Sequence, residues 1–162
     1  GVPVVDAAGV SLMYVVPNQN PLRPPQPGGG GGGQTQQRGP LFGIVDLGSN
    51  RTTTLSGSAP TYALDGKTLA YVAREGSENH LRAGPPTGVH QIVKKTIDRL
   101  DAPALSPDGE HIAFQQMTRD DWEIHVVSRD GSNERRLTRD NQHDVLPRLG
   151  FHSKCQLRFH VI

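Results

Sequence analysis

Cysteine is almost absent: Cys155 is the single one in 162 residues. That excludes an internal disulfide framework and any metal centre built on several thiolates. Aromatic residues are scarce at 5%, and no apolar run approaches the ~18–20 residues of a membrane-spanning helix. Neither sign of charge is in excess, since 17 Lys and Arg against 16 Asp and Glu leave a formal net charge of +1. The broad basic field that nucleic-acid binding draws on is therefore missing. Nor does a charged and then apolar leader open the sequence; an export signal upstream of residue 1 is the expectation.

What the sequence has is glycine (19), proline (13) and a low apolar content of 34%. This balance favours turns and short strands over long helices. Part of it is local. Residues 17–40, "PNQNPLRPPQPGGGGGGQTQQRGP", offer almost nothing to bury and read as an extended insertion. The glycine run at 28–33 could suggest a phosphate-cradling loop. No Lys-Ser/Thr follows it and no strand-to-helix frame surrounds it, so the linker reading is preferred.

Outside the insertion one unit recurs. Segments opening at Pro3, Pro60, Pro103 and Pro147 share an order of residues, and their prolines are 57, 43 and 44 positions apart. The long first interval is the one that holds the insertion. The clearest copy begins "APALSPDGEHIAF" at Ala102. A short strand follows the proline, and "SPDG" then turns the chain. Pro107 presets φ at the second turn position and Gly109 tolerates conformations closed to other residues. Next come an alternating strand with Ile112 and Phe114 on one face, and a third strand, "WEIHVVS". Asp130-Gly131 is a hairpin signal, and "ERRLT" is read as a fourth strand. A comparable pair of strands around a Gly-Ser-Asn turn occurs at residues 41–56, matching Gly131-Ser132-Asn133. "VHQIVKKTIDRL", residues 89–100, is expected to hold the third and fourth strands of the middle unit, in preference to one helical face. Four strands in about 44 residues, repeated, is the pattern of a propeller blade.

These residues, together with "HDVLPRL" before the last copy, resemble the TolB-type β-propeller repeat, as in TolB and in the propellers of tricorn-like and prolyl-oligopeptidase-like peptidases. The resemblance covers nearly the whole chain outside the insertion and is most specific over residues 102–148. The fold expected from residues and resemblance together is all-β: a partial propeller of about three four-stranded antiparallel blades, part of a larger ring. Its units are placed at about 1–56 with the insertion at 17–40, about 57–100, about 101–138, and the start of a fourth at about 144–162. In the last copy "GFHS" replaces "SPDG", a departure from the repeat. The resemblance implies a non-catalytic binding or interaction module of an exported or cell-envelope, periplasmic bacterial protein. The alternative is an accessory propeller of a serine peptidase or other hydrolase whose catalytic domain lies outside this chain.

Residues that could carry chemistry are few. No G-x-S-x-G frame surrounds Gly57-Ser58, and Cys155, with His152 and His160 near it, reads as a strand cysteine rather than a nucleophile. No catalytic residue and no cofactor is assigned. The seven histidines lack the spacing of a metal site, and "SRDGSNERR" lacks the final Glu of a calcium loop. Trp122 is read as a core or inter-blade aromatic, and Arg135, Arg136, Arg139 and Arg148 as solvated surface. One pair stands out: His143 and Asp144 precede the first strand of the fourth unit. If that segment runs by the channel of a propeller, Asp144 could hold a cation or polar ligand at its mouth; the plainer reading is a turn cap. Protein or peptide partners are expected, nucleic acid and a membrane span are not, and exposed blade edges could let copies self-associate.

Overall fold

The computed structural model describes residues 4–5, 11–16, 40–139, 148–152 and 156–160. Every described element is a strand, and all pairing is antiparallel and sequential. The first sheet holds β1 (Val4–Val5), β2 (Ser11–Val16), β3 (Leu41–Asp46) and β4 (Arg51–Ser56). The second holds β5 (Ser58–Tyr62), β6 (Leu69–Glu75), β7 (Glu78–Gly84) and β8 (Gln91–Thr96). The third holds β9 (Arg99–Leu105), β10 (His111–Thr118), β11 (Asp121–Ser128) and β12 (Arg135–Arg136). A hairpin of β13 (Arg148–His152) and β14 (Gln156–His160) follows.

The sheets stack face on face. Met13, Phe42 and Ile44 of the first sheet pack on Leu69, Tyr71 and Ala73 of the second, with the Phe42 and Tyr71 rings edge-on at 5.1 Å. Ala70, Val72, Leu81, Ala83 and Val93 point the other way, onto Leu100, Leu105, Ile112, Phe114 and Val127 of the third. β6 is thus covered on both sides, which is why "LAYVA" is an unbroken apolar run rather than an alternating one. The first strands of the second and third sheets, β5 and β9, lie next to each other.

The Ala-Pro pair within each of these two strands is a bulge. Ala59 and Ala102 have φ of 48° and 44°, and the pairing of each strand slips where they stand. A left-handed alanine costs about 1 kcal/mol or more. At Ala102 the Asp101 carboxylate offsets part of that by accepting from the Ala102 N–H at 2.8 Å.

Two strand assignments differ from those the sequence suggests. The third strand of the second sheet is β7, "ENHLRAG", while Arg99 and Leu100 already belong to the third sheet. The polar members of β7, His80 and Arg82, face the first sheet beside Glu75 and hide the alternation that Leu81 and Ala83 carry. "ERRLT" is a strand only at Arg135 and Arg136, followed by one more main-chain bond, from Leu137 N to the Ile124 carbonyl at 2.7 Å. Beyond them the Thr138 hydroxyl takes the place of a strand partner, accepting from Ile124 N at 2.9 Å and donating to the buried Glu123 carboxylate at 2.8 Å. Arg136 pairs with that same carboxylate.

Turn glycines set the distance between sheets. Gly109 has φ +72°, and a Cβ on it would lie 2.8 Å from Thr68 Oγ1 in the corresponding turn of the second sheet. Gly131 has φ +87°, and its Cβ would lie 2.8 Å from the Val93 carbonyl of β8. Gly76 also has positive φ, +61°, yet its Cβ would meet nothing within 4 Å. Gly76→Ala should therefore cost only the dihedral, about 1 kcal/mol, and Gly109→Ala or Gly131→Ala about 1–3 kcal/mol. Urea unfolding followed by the fluorescence of Trp122, the single tryptophan, measures the order; equal costs at the three positions would contradict the close approach.

Candidate functional site

Sequential antiparallel strands bring the turns between first and second strands and those between third and fourth strands to one end of each sheet. In the third sheet these are the 106–110 turn and the 129–134 connection; in the second, the 63–68 turn and the 85–90 connection. The 106–110 turn is closed by Gly109 N donating to Ser106 O and Ser106 N to His111 O, both at 2.8 Å. Asp108 accepts from Ser106 Oγ at 2.5 Å and from Glu110 N at 3.0 Å. In the 129–134 connection Asp130 Oδ1 accepts from Ser132 N at 2.9 Å and from its hydroxyl at 2.6 Å. Asn133, at φ 55°, donates through its amide to the Ser128 hydroxyl. Asp46 organises the 47–50 turn of the first sheet in the same manner, accepting from Gly48 N and Ser49 N.

Between the ends of the second and third sheets these connections flank an open groove of about 580 Å³. One wall is Gly84, Pro85, Val89 and Gln91; the other runs from Ser128 to Asn133; Ala83, Glu110 and His111 close the floor. The walls are fixed to each other. Gln91 Nε2 donates to the Arg129 carbonyl at 2.9 Å, and Arg129 N donates to the Glu110 carbonyl at 2.8 Å. Lower down, Lys94 of β8 reaches Glu134 at 2.5 Å, and Glu134 also meets His125 Nδ1 at 3.1 Å. His125 stacks on Phe114, with Lys94 Nζ 5.7 Å from that ring. On the loop side the Pro85 carbonyl, which can only accept, takes a hydrogen bond from His90 Nε2 at 2.8 Å. His111 Nδ1 is buried at the floor and makes no hydrogen bond to a described residue.

The charges of this end are held in place. The Ser132 hydroxyl and N–H keep the Asp130 carboxyl below the usual carboxylate range. At Asp46 the leading cause is the Ser49 N–H, and the result is the same. Burial pushes Asp108 up, but the Ser106 hydroxyl and the Glu110 N–H together outweigh it and leave it lowered. Burial lowers His90 and His125; Glu134 opposes the second of these shifts and does not reverse it.

His143 and Asp144, the pair singled out from sequence, lie outside the described residues, as does Cys155. Trp122 is half-buried on β11 with the Arg99 guanidinium 5.7 Å from its ring centre. Arg135 and Arg139 are exposed, and Arg136 is engaged by Glu123. Among the described residues no group of three or more His, Cys, Asp and Glu is placed to hold a metal ion. The groove itself escaped the sequence reading because it joins residues about forty positions apart. Its one local sign was the pair of Asp-Gly turns at 108–109 and 130–131.

The carboxyls of Asp46, Asp108 and Asp130 and the imidazoles of His90 and His125 are all shifted downward, so each of these groups binds protons more weakly in the folded chain than in the unfolded one. Their contribution is present above the ordinary carboxylate value of about 4, and for the histidines above about 6.5. It is lost as pH falls through the lower folded values. Asp130→Asn keeps the turn acceptor and removes one titration. Its urea midpoint should fall less than that of the wild-type chain between about pH 5 and about pH 2; parallel curves would refute a lowered Asp130 carboxyl in the folded chain.

The sequence matches no protein-family model, and no curated protein matches it. Solved structures do. TolB from Acinetobacter baumannii superposes with a TM-score of 0.60 at 14% identity, over 98% of this chain and 39% of that one. A putative TolB from Agrobacterium tumefaciens gives 0.62 at 17% identity, over 88% and 47%. The β-propeller domain of the Trilobed protease from Pyrococcus furiosus, described as having an open velcro topology, gives 0.56 at 10% identity, over 86% and 43%. This chain spans less than half the length of these structures. Its three stacked four-stranded sheets have the fold of the TolB-type and related β-propellers.

Proposed function

We propose that the chain is a non-catalytic interaction module, a β-propeller segment whose sheet-end turns form a recognition surface for a protein or peptide. One observation carries this reading: Leu47, Leu64 and Val89, each in a turn at the same end of its sheet, are 50%, 67% and 88% exposed, and Val89 borders the groove. Apolar side chains exposed in turns at one end of the sheets, one of them beside a groove with polar walls, offer the mixed surface that protein recognition uses. The division into units at about 1–56, 57–100, 101–138 and from 144 is kept as the modular plan. The resemblance to TolB-type repeats supports an exported or cell-envelope setting, and no described helix is long and apolar enough to cross a membrane. The exposed outer strand β4, rich in β-branched threonine, offers an edge through which copies could self-associate.

A second reading has its own support in the likeness to the Trilobed protease propeller. There the chain would be the accessory propeller of a peptidase or other hydrolase, governing access to a catalytic domain on another stretch of sequence. A reading frame continuing into an α/β-hydrolase domain with G-x-S-x-G would select it. Both readings leave this chain without turnover of its own. The purified 162-residue chain should not hydrolyse peptide or ester substrates above the buffer rate; turnover that persists through repurification would overturn the non-catalytic assignment.

A further inference from the structure

We infer that the groove between the second and third sheets takes an extended peptide segment in which a Lys or Arg side chain neighbours an apolar one. This deepens the interaction-module reading and rests on it. The groove is ready-made: the Gln91–Arg129 hydrogen bond spans it, and Gly131 is seated against the Val93 carbonyl. An occupant therefore meets walls that need little ordering, which lowers the cost of association.

Charge decides the sign of the occupant. Arg129 is the one cation among the groove-lining residues, and the Glu110 carboxylate already neutralises it at 3.1 Å. That leaves Asp130 as the unbalanced charge. Its Oδ1 is used by Ser132, while Oδ2 makes no hydrogen bond to a described residue. An ammonium or guanidinium group reaching Oδ2 would form a charge-assisted hydrogen bond. The hydroxyl and N–H that hold Asp130 below the usual carboxylate range keep it ionised for that purpose in mildly acidic surroundings.

The opposite wall supplies the second half of the specificity. Val89 is 88% exposed and stands beside Pro85 as an apolar ledge. The His90–Pro85 hydrogen bond holds the loop that carries it. In an extended peptide successive side chains point to opposite sides, so a basic residue turned to Asp130 places its neighbour on the Val89 side.

Two capped eight-residue peptides test the assignment, one alternating Lys and Leu between terminal glycines, the other with Glu in place of each Lys. Each is titrated into the isotopically labelled full chain while backbone amide shifts are recorded. The Lys peptide should move the amides of Gln91, Arg129, Gly131 and Ser132 saturably, and the Glu peptide should bind at least about tenfold more weakly. Asp130→Asn, which preserves the turn acceptor, should weaken the Lys peptide about tenfold. Val89→Ser should weaken it several-fold, and Ile97→Ser, at the other end of the sheet, should not change it. Equal affinity for both peptides, or no effect of Asp130→Asn, overturns the assignment. So does the absence of saturable shifts. Saturable shifts confined to the end near Ile97 overturn it too, and in that case the chain still binds a peptide, so the interaction-module reading survives the loss of this site.

Discussion

The distance between neighbouring sheets is the constraint on which the other features depend. It is set at the core by Leu81, Ile112 and Phe114, all fully buried, and at the turn end by Gly109 and Gly131 against Thr68 and the Val93 carbonyl. Apolar area supplies the attraction. The missing Cβ atoms let that attraction run to full contact instead of being held off by the turns. With the sheets at this spacing, Gln91 reaches Arg129 and Lys94 reaches Glu134, and the groove walls acquire fixed positions. A wider gap would leave the same residues as separate surface side chains.

The second sheet also shows why the units are not independent domains. Its two faces are covered by different neighbours, the first sheet on one side and the third on the other. One such sheet cannot bury its own apolar faces without its neighbours. Stability is then held in the contacts between successive units, as in other repeat architectures. Lys94, whose side chain is largely buried between the second and third sheets, belongs to that pattern. Its ammonium meets the Glu134 carboxylate and lies 5.7 Å from the centre of the Phe114 ring.

Much of the fold was legible because the repeat is punctuated by residues with narrow conformational choices. Asp-Gly at 108–109 and 130–131 marked turns that the structure contains, both with glycine at positive φ. The Gly-Ser-Asn match was also informative, since Asn50 and Asn133 adopt φ of 53° and 55°. The Ala-Pro signature was visible as a landmark, but its meaning was not. A bulge with a left-handed alanine follows no propensity, because tertiary packing holds it in place. The strand β7 was missed for a related reason: Arg82 is held by an ion pair with Glu75 across the hairpin, and His80 is buried beside the same carboxylate, so polar residues stand where an apolar alternation would be looked for. The groove was the least legible part. Spacing within one segment carries no information about which wall will stand opposite, and the pair chosen from sequence, His143 and Asp144, was favoured only by its assumed place in the ring.

Several contacts that lock one sheet to the next are made by main-chain atoms: the Val93 carbonyl under Gly131, the Arg129 carbonyl on Gln91, the Glu110 carbonyl on Arg129 N. A carbonyl is present whatever residue bears it. Such joints tolerate exchange of most side chains around them, requiring only a glycine here and an amide there. An architecture fastened in this manner places few demands on the side chains around its joints, and the same shape can be carried by very different compositions.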